Sequence, residues 1–226
     1  MRRVLTLAAV ASACAVAAAP AGATNECRGL MVCVPVVGPW VSTGAGQVEF
    51  QLACPRRYIV GGLDAELSSR GIEIGFVGAL GSPVNPGITT AKEAVFLGRH
   101  VRGRDPAPSF RPLIGCVPAQ GGGRRSPTAY HAFPPAKPTA RQVKTVRVRP
   151  GATTVAVARC AKGQRFVSAT NAVAFYGSTP PTAAVVHAVT VKQRVVSGVV
   201  KLRIRATRAI AQAPTIVQLD LLCVPQ

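Results

Sequence analysis

The sequence predicts an all-β protein with two tandem β-sandwich-like or small-barrel modules, each closed by a disulfide. Three observations support this prediction. Short runs rich in Val, Ile and Phe alternate with Gly- and Pro-containing turns along the chain, as in sandwiches and barrels. No segment shows the long 3.6-residue apolar period of an amphipathic helix. The cysteines and their surroundings recur once along the chain, which is typical of a duplicated unit.

The duplication predicts how the cysteines pair. Cys54 and Cys116 are 62 residues apart, and Cys160 and Cys223 are 63 apart. Each second cysteine lies in an apolar run that ends Cys-Val-Pro, and each first cysteine follows a β-like run. With the remaining two cysteines paired by elimination, the expected disulfides are Cys54–Cys116, Cys160–Cys223 and Cys27–Cys33.

One feature of the duplication leaves the strand faces open. Phe50 and Leu52 lie an even number of residues before the first cysteine of their copy, whereas Val155 and Val157 lie an odd number before theirs. Because successive strand residues face opposite ways, the two pairs would lie on opposite faces. A one-residue bulge in the preceding turn would restore the match; otherwise the alignment is shifted by one residue there.

The first module is predicted over residues 24–118. Ile72, Ile74 and Phe76 alternate with small or charged residues, as a half-buried strand requires. Asp64–Arg70 is compatible with one helical turn. Residues 119–140 form a linker rich in Gly, Pro and Arg, which cannot sustain a helix or a central strand. The predicted strands are Leu30–Val37, Gln47–Ala53, Arg57–Val60, Ile72–Val77, Ala94–Val101 and Phe110–Val117.

The second module is predicted over residues 141–226. A hairpin turn is expected at Ser197-Gly198, between two Val-rich runs. An immunoglobulin topology is not expected, because only three residues follow Cys223 and no Trp follows either first cysteine. The predicted strands are Val143–Arg149, Thr153–Arg159, Arg165–Ala169, Ala172–Tyr176, Val185–Val196, Val199–Thr207 and Thr215–Val224.

Residues 1–23 are predicted to be a secretory signal peptide. Met1-Arg2-Arg3 is a basic start, an apolar stretch follows over Val4–Ala19, and Ala21-Gly22-Ala23 is a small-x-small cleavage site. Cys14 lies inside this segment, where a lipoprotein cysteine is the alternative interpretation. No later run reaches the roughly 20 apolar residues of a membrane span, so the mature chain is expected to be extracellular or associated with the cell envelope.

The net charge is strongly positive. Removal of Arg2 and Arg3 with the signal peptide leaves 25 Lys and Arg against 8 Asp and Glu, a net charge of +17. Such a field favours polyanions as partners, including nucleic acid, anionic lipid and anionic wall polymers. The alternative is a compositional bias that keeps a β protein in solution.

Cys160–Val167 resembles the opening of a repeat found in secreted actinobacterial proteins. That opening is Cys-Pro-x-Gly-x-x-apolar-apolar-Gly-Gly, and the repeat closes on a C-terminal cysteine strand. Cys54-Pro55 followed by Ile59–Gly62 is similar with two residues missing, while the second copy has Ala161 for Pro and Ser168-Ala169 for Gly-Gly. The resemblance implies export and disulfide-closed β structure, and it carries no assigned activity.

No catalytic, metal or cofactor site is predicted. His100, His131 and His187 show no His-x-x-x-His spacing, and no Cys-x-x-Cys spacing occurs, so zinc is not indicated. No Gly-x-Ser-x-Gly elbow is present, and paired cysteines leave no thiol nucleophile. The sequence therefore predicts a non-enzymatic protein.

The candidate functional residues form a basic strip on two neighbouring strands. Lys192 and Arg194 share one side of the first strand, and Lys201, Arg203 and Arg205 share one side of the next. A turn at Ser197-Gly198 would place the two rows side by side, where like charges repel unless they are solvated or matched by an anion.

Three interpretations of this strip stay open. It is a binding surface for an anionic cell-wall polymer or an acidic glycan, with nucleic acid disfavoured because aromatic stacking residues are missing from it. Alternatively, it is only a solvated outer face. In the third interpretation the protein is a secreted inhibitor or ligand-binding protein, and an exposed loop such as Gly81–Gly87 or Thr179–Thr182 makes the contact.

Overall fold

A computed structural model describes residues 26–30, 32–44, 46–77, 92–101, 103, 105–119 and 140–226. The predicted signal peptide 1–23, the loop Gly81–Gly87, His131 and nearly all of the linker 119–140 lie outside these residues. We call 26–119 the first half and 140–226 the second half.

The chain is all-β, as predicted. The first half contains β1 (Val34–Val37), β2 (Trp40–Ser42), β3 (Gln47–Ala53), β4 (Tyr58–Leu67), β5 (Ile72–Val77), β6 (Glu93–His100) and β7 (Ser109–Pro118). The second half contains β8 (Ala140–Val148), β9 (Thr153–Arg159), β10 (Gln164–Phe175), α1 (Ala183–His187), β11 (Val189–Val196), β12 (Val199–Ala206), a 3-10 turn (Arg208–Ile210) and β13 (Thr215–Pro225).

Both halves use the same pattern of strand pairing. In the first half, β7 lies between β4 and the interrupted edge β1–β2, and β6 lies between β3 and β5. In the second half, β13 lies between β10 and β8, and β12 lies between β9 and β11. A register shift falls at the same distance from the first cysteine in both, at Gly61 in β4 and Val167 in β10. The internal repeat in the sequence therefore corresponds to a repeat in strand topology.

All three predicted disulfides are present. Cys54–Cys116 and Cys160–Cys223 join the residue after β3 or β9 to the last strand of each half. Cys27–Cys33 closes a short loop ahead of β1. Cys116 and Cys223 are fully buried, so each long disulfide ties the interior of its half together.

Several predicted boundaries were wrong. The predicted strand Arg57–Val60 is too short, because β4 continues to Leu67 with a register shift after Val60. The segment Asp64–Arg70 is not helical. The predicted strands Arg165–Ala169 and Ala172–Tyr176 form a single strand, β10. The first residues of the predicted strand Val185–Val196 belong to α1. The predicted linker 119–140 extends one residue too far, since β8 already begins at Ala140.

The faces of β9 settle the question that the duplication left open. Ala156 is buried and Ala158 packs on the core of the second half, whereas Val155 is 65% and Val157 44% exposed. Ala156 lies opposite Leu202 of β12, a fully buried residue. The two copies therefore align without a bulge, and β9 turns its larger apolar side chains to solvent.

The two halves share one sheet. Residues Trp40 and Val41 of β2 pair with Phe175 and Ala174 of β10, which joins the strands on either side into a seven-stranded antiparallel sheet. β13 is buried on both faces: Leu219 and its alternate neighbours pack in the second half, and Ile216 packs with the first-half core. The sheet is thus the common wall of two hydrophobic cores.

A polar cluster lies where the halves meet. The amide of Gln218 in β13 accepts from the backbone N–H of Gln51 at 2.6 Å and donates to its carbonyl at 3.0 Å. Gln218 thereby pairs with both backbone groups of Gln51 at the edge of β3. Beside it, Arg141 Nη1 donates to Glu49 at 2.6 Å and to Asp220.

Asp220 is the most enclosed carboxylate of this cluster. Its side chain is 3% exposed, and Oδ1 is buried with no hydrogen-bond partner among the described residues. Burial raises the pKa of Asp220, against the lowering effect of the hydrogen bond and charge of Arg141, and the charges of Glu49 and Glu93 raise it further. Burial by itself would lower the pKa of Arg141, but its bonds to Glu49 and Asp220 raise it above the ordinary value.

Candidate polyanion-binding face

The hairpin that carries the basic strip forms where the sequence predicts it. Ser197 and Gly198 both have positive φ, at 49° and 73°, as a two-residue type I′ turn requires. Val196 pairs with Val199 across this turn. The tight turn fixes the register of β11 against β12, and with it the relative positions of the basic residues.

The register brings all five predicted cations to one face. In β12, Val200, Leu202 and Ile204 are fully buried while the residues between them are exposed. Lys192 lies directly opposite Arg203, and Arg194 lies directly opposite Lys201. Directly opposite side chains on one face have Cβ atoms about 5 Å apart. The outer face therefore contains two like-charged cross-strand pairs, and Arg205 extends the β12 row.

β9 adds a sixth cation that sequence reasoning missed. Arg159 lies opposite Val199 at the hairpin end of the same face and is exposed. We call Arg159, Lys192, Arg194, Lys201, Arg203 and Arg205 the basic face. Arg159 was missed because the pairing of β9 with β12 is a long-range contact. The one local signal is the alternation within β9, which places Arg159 on the same side of the strand as Val155 and Val157.

The basic face has no carboxylate partner in the part of the chain that the structure describes. Among the described residues, none of its six cations is within 4.0 Å of an acidic oxygen. The second half contains thirteen Lys and Arg but a single acid, Asp220. Because Asp220 is buried and bonded to Arg141, the exposed side chains of this half carry positive charge alone.

The equivalent face of the first half is different. Counting from the first cysteine of each copy, Lys201 and Arg203 correspond to Val95 and Leu97 of β6. Arg205 corresponds to Arg99, which forms an ion pair with Glu73 at 3.2 Å. The strand framework is therefore satisfied without the cations of the basic face.

The loop Thr179–Thr182 lines an open cleft of about 500 Å³. Tyr176, Gln212 and Arg208 contribute polar groups to the same cleft, and Arg208 is the one charged residue among those lining it. A second cavity of about 420 Å³ lies between the halves, with exposed His187 on its rim. Neither cavity gathers an acid, a base and a nucleophile.

Ser68, His100 and Asp105 lie near one another in the first half but do not form a catalytic triad. Ser68 Oγ donates to Asp105 at 2.9 Å and accepts from the backbone N–H of Ser109 at 3.0 Å. The buried Nε2 of His100 has no hydrogen-bond partner in the described ranges. Burial raises the pKa of Asp105, but hydrogen bonds from the hydroxyl of Ser68 and the backbone N–H of Ala107, together with the charge of His100, hold it below its ordinary value. Because Ser68 bonds the carboxylate directly, its hydroxyl is not aligned with the imidazole as a nucleophile would be.

Metal-ligand clusters and membrane-spanning helices are both missing from the described residues. Across the described ranges, no three His, Cys, Asp or Glu side chains come together in a way that could hold a metal ion. Within the same part of the chain, no helix is long and apolar enough to cross a membrane.

Comparison with known proteins gives no match: no family model, no curated protein and no solved structure is similar to this chain.

Proposed function

We propose that the chain is an exported, non-enzymatic protein that is held to an anionic surface of the cell envelope by its basic face. Six exposed cations on one face generate a local field that attracts polyanions and is screened by salt. The face offers no aromatic ring on which a base would stack, which favours a wall polymer, an acidic glycan or a lipid headgroup over nucleic acid.

The observation that carries this proposal is the unneutralised pairing of like charges. Lys192 opposite Arg203 and Arg194 opposite Lys201 are destabilising arrangements in isolation. The corresponding positions of the first half are filled by apolar residues, so the fold does not require cations there. An anionic ligand would remove the repulsion and explain why the charges stand together.

Export is supported by two features. The N-terminal segment has the order of a signal peptide. Three disulfides are typical of proteins that fold in an oxidising compartment. A protein exported from the cell would meet the anionic polymers of the envelope.

The test is retention of the oxidised protein on immobilised polyphosphate and on immobilised heparin, measured as a function of salt. We expect retention at low salt that falls steeply as salt rises. A variant with Lys192, Arg194, Lys201, Arg203 and Arg205 changed to Gln should lose most of this retention. These residues are exposed, so the variant should stay folded.

A matched control separates the face from the total charge. Five exposed cations elsewhere, changed to Gln, remove the same charge: Arg56, Arg147, Arg149, Lys162 and Arg165. The control should keep most of the retention. If both variants lose retention equally, the basic face is not a site and only the net charge matters; if neither loses any, the proposal fails.

A second candidate function is ligand binding or inhibition through the loop Thr179–Thr182. The specific observation in its favour is the cleft that this loop lines together with Tyr176 and Arg208. Binding there would depend on shape and hydrogen bonds, so it should persist at high salt. Retention that survives high salt and is abolished by Tyr176→Ala would favour the cleft over the basic face.

A further inference from the structure

We propose that the anionic surface bound by the basic face is a lipid bilayer with acidic headgroups. This inference rests on the proposed function and names the partner of the same face. It depends on a feature that charge alone does not explain: an exposed apolar column runs along β9, next to the cations of β12.

The column runs against the usual pattern of a half-buried strand. Val155 and Val157 are 65% and 44% exposed, whereas Ala156 and Ala158 between and after them point to the core. A strand that only had to close the core would place its larger apolar residues inside. At the positions in β3 that correspond to the two valines, the first half has Glu49 and Gln51, so the framework accepts polar side chains there.

The valines and cations form cross-strand rows. Val157 lies opposite Lys201, which in turn lies opposite Arg194. The next row repeats the arrangement with Val155, Arg203 and Lys192. Each row therefore has an apolar end on β9 and a cationic part on β12 and β11. Thr153 continues the β9 column beside Arg205.

This arrangement matches a bilayer interface better than a hydrated polymer. Lys and Arg reach phosphates with their charged ends while their methylene stems lie along apolar surface. Apolar side chains between them can enter the headgroup–acyl boundary, and burial of that surface adds to the electrostatic attraction. A hydrated polyanion would satisfy the cations but leave both valines in water. The only acid of the second half, Asp220, is buried and does not oppose approach to the surface.

The test compares vesicles with a lipid-free polyanion. Sedimentation would use vesicles of phosphatidylcholine alone and of equal parts phosphatidylcholine and phosphatidylglycerol, and soluble polyphosphate would serve as the polymer. We expect binding to the acidic vesicles and weak binding to the neutral ones. The double variant Val155→Thr with Val157→Thr should bind acidic vesicles about tenfold more weakly and polyphosphate equally well. Thr is β-branched like Val, so the exposed strand keeps its preference.

A second variant, expected to bind vesicles more tightly, controls for an unspecific loss of vesicle binding in the double variant. Thr153→Val extends the apolar column and should strengthen vesicle binding by a few-fold without changing polyphosphate binding. The inference is overturned if the native protein binds polyphosphate but not acidic vesicles, or if the double valine variant binds vesicles as well as the native protein. In either case the proposed function stands as long as the five-cation variant loses polyphosphate. Unchanged binding of that variant to both partners would instead overturn the proposed function itself.

Discussion

The sheets β3–β6–β5 and β9–β12–β11 occupy equivalent places in the two halves, yet the faces that carry Val95 and Lys201 differ in burial and in charge. In the first half, Arg99 pairs with Glu73, and Glu49 pairs with Arg141 of the other half. In the second half, six cations share a face, and no carboxylate of the described residues lies within 4.0 Å of them. One strand framework thus supports a neutralised face and an unneutralised one, so the basic face is a local property and not a demand of the fold.

The edges of the two sheets also differ in how their backbone groups are covered. The free edge of β3 lies against the second half, where Gln218 bonds the backbone of Gln51. At the edge of β9 the corresponding contact is exposed to solvent: Lys144 Nζ donates to the carbonyl of Val157 at 2.8 Å. One sheet is therefore part of the junction between the halves, and the other is left accessible to a partner.

The largest expected effect tests whether the two frameworks are equivalent. Removing Cys160–Cys223 by paired Ala substitutions should lower the free energy of unfolding by about 4 kcal/mol, because the bond closes a loop of about 60 residues. Removing Cys54–Cys116 should have the same effect. Removing Cys27–Cys33, which spans 6 residues, should lower it by only about 2 kcal/mol. Urea unfolding measures all three.

A clear inequality between the two long disulfides would contradict the equivalence. In that case packing would stabilise one half more than the other. The two halves would then share a strand topology but not the same dependence of stability on the disulfide.

The next largest effect is expected at the ion-paired cluster of Arg141, Glu49 and Asp220 between the halves. Arg141→Gln leaves the carboxylates of Asp220 and Glu49 without their cation, and we expect about 3 kcal/mol of destabilisation. Arg147→Gln is the matched control, since Arg147 lies on the same strand and face but is exposed; its effect should be under about 0.5 kcal/mol. Equal urea midpoints for the two variants would show that Arg141 does not stabilise the junction.

The pH dependence of stability isolates Asp220. Its pKa in the folded state is raised by burial above the ordinary value of 3.8, so the folded state holds the proton more tightly than the unfolded state. The resulting stability is present below the unfolded pKa and is lost as pH rises through the folded pKa. The native protein should therefore lose free energy of unfolding relative to Asp220→Asn as pH rises from about 3 to about 7.

Urea unfolding at both pH values checks this expectation. Glu73→Gln is the control, because its carboxylate is 63% exposed and its ion pair with Arg99 contributes little. Parallel pH profiles for the native protein and Asp220→Asn would contradict the assignment of the pH dependence to Asp220.

The sequence predicted what depends on local pattern or on the repeat. The disulfides follow from the two matched cysteine spacings, and the hairpin follows from Ser197-Gly198, whose φ values are both positive. The basic rows follow from the alternation of β12, where Leu202 and Ile204 are buried. In each case a turn or a period of two residues sets the geometry.

The sequence did not predict what depends on long-range contacts. β2 joins the two halves through only three residues, too few to show a period. β13 is buried on both faces, which removes the alternation that would have shown a contact with the first half. One signal was available: Asp220 is the only acid of the second half and lies in an apolar run, and a buried carboxylate requires a cation such as Arg141.

The smallest expected effect tests the unneutralised side directly. Lys201→Gln with Arg203→Gln removes one member of each like-charged cross-strand pair. Without a ligand, the variant should be more stable than the native protein by a few tenths of a kcal/mol at low salt, and the gain should shrink as salt screens the repulsion. Thermal unfolding at low and high salt measures it. If the variant is less stable at low salt, the methylene stems of these residues stabilise the sheet. The presence of the cations would then be explained without an anionic partner. If it is more stable, the basic face is maintained against the stability of the fold, as expected of a surface that binds an anionic partner.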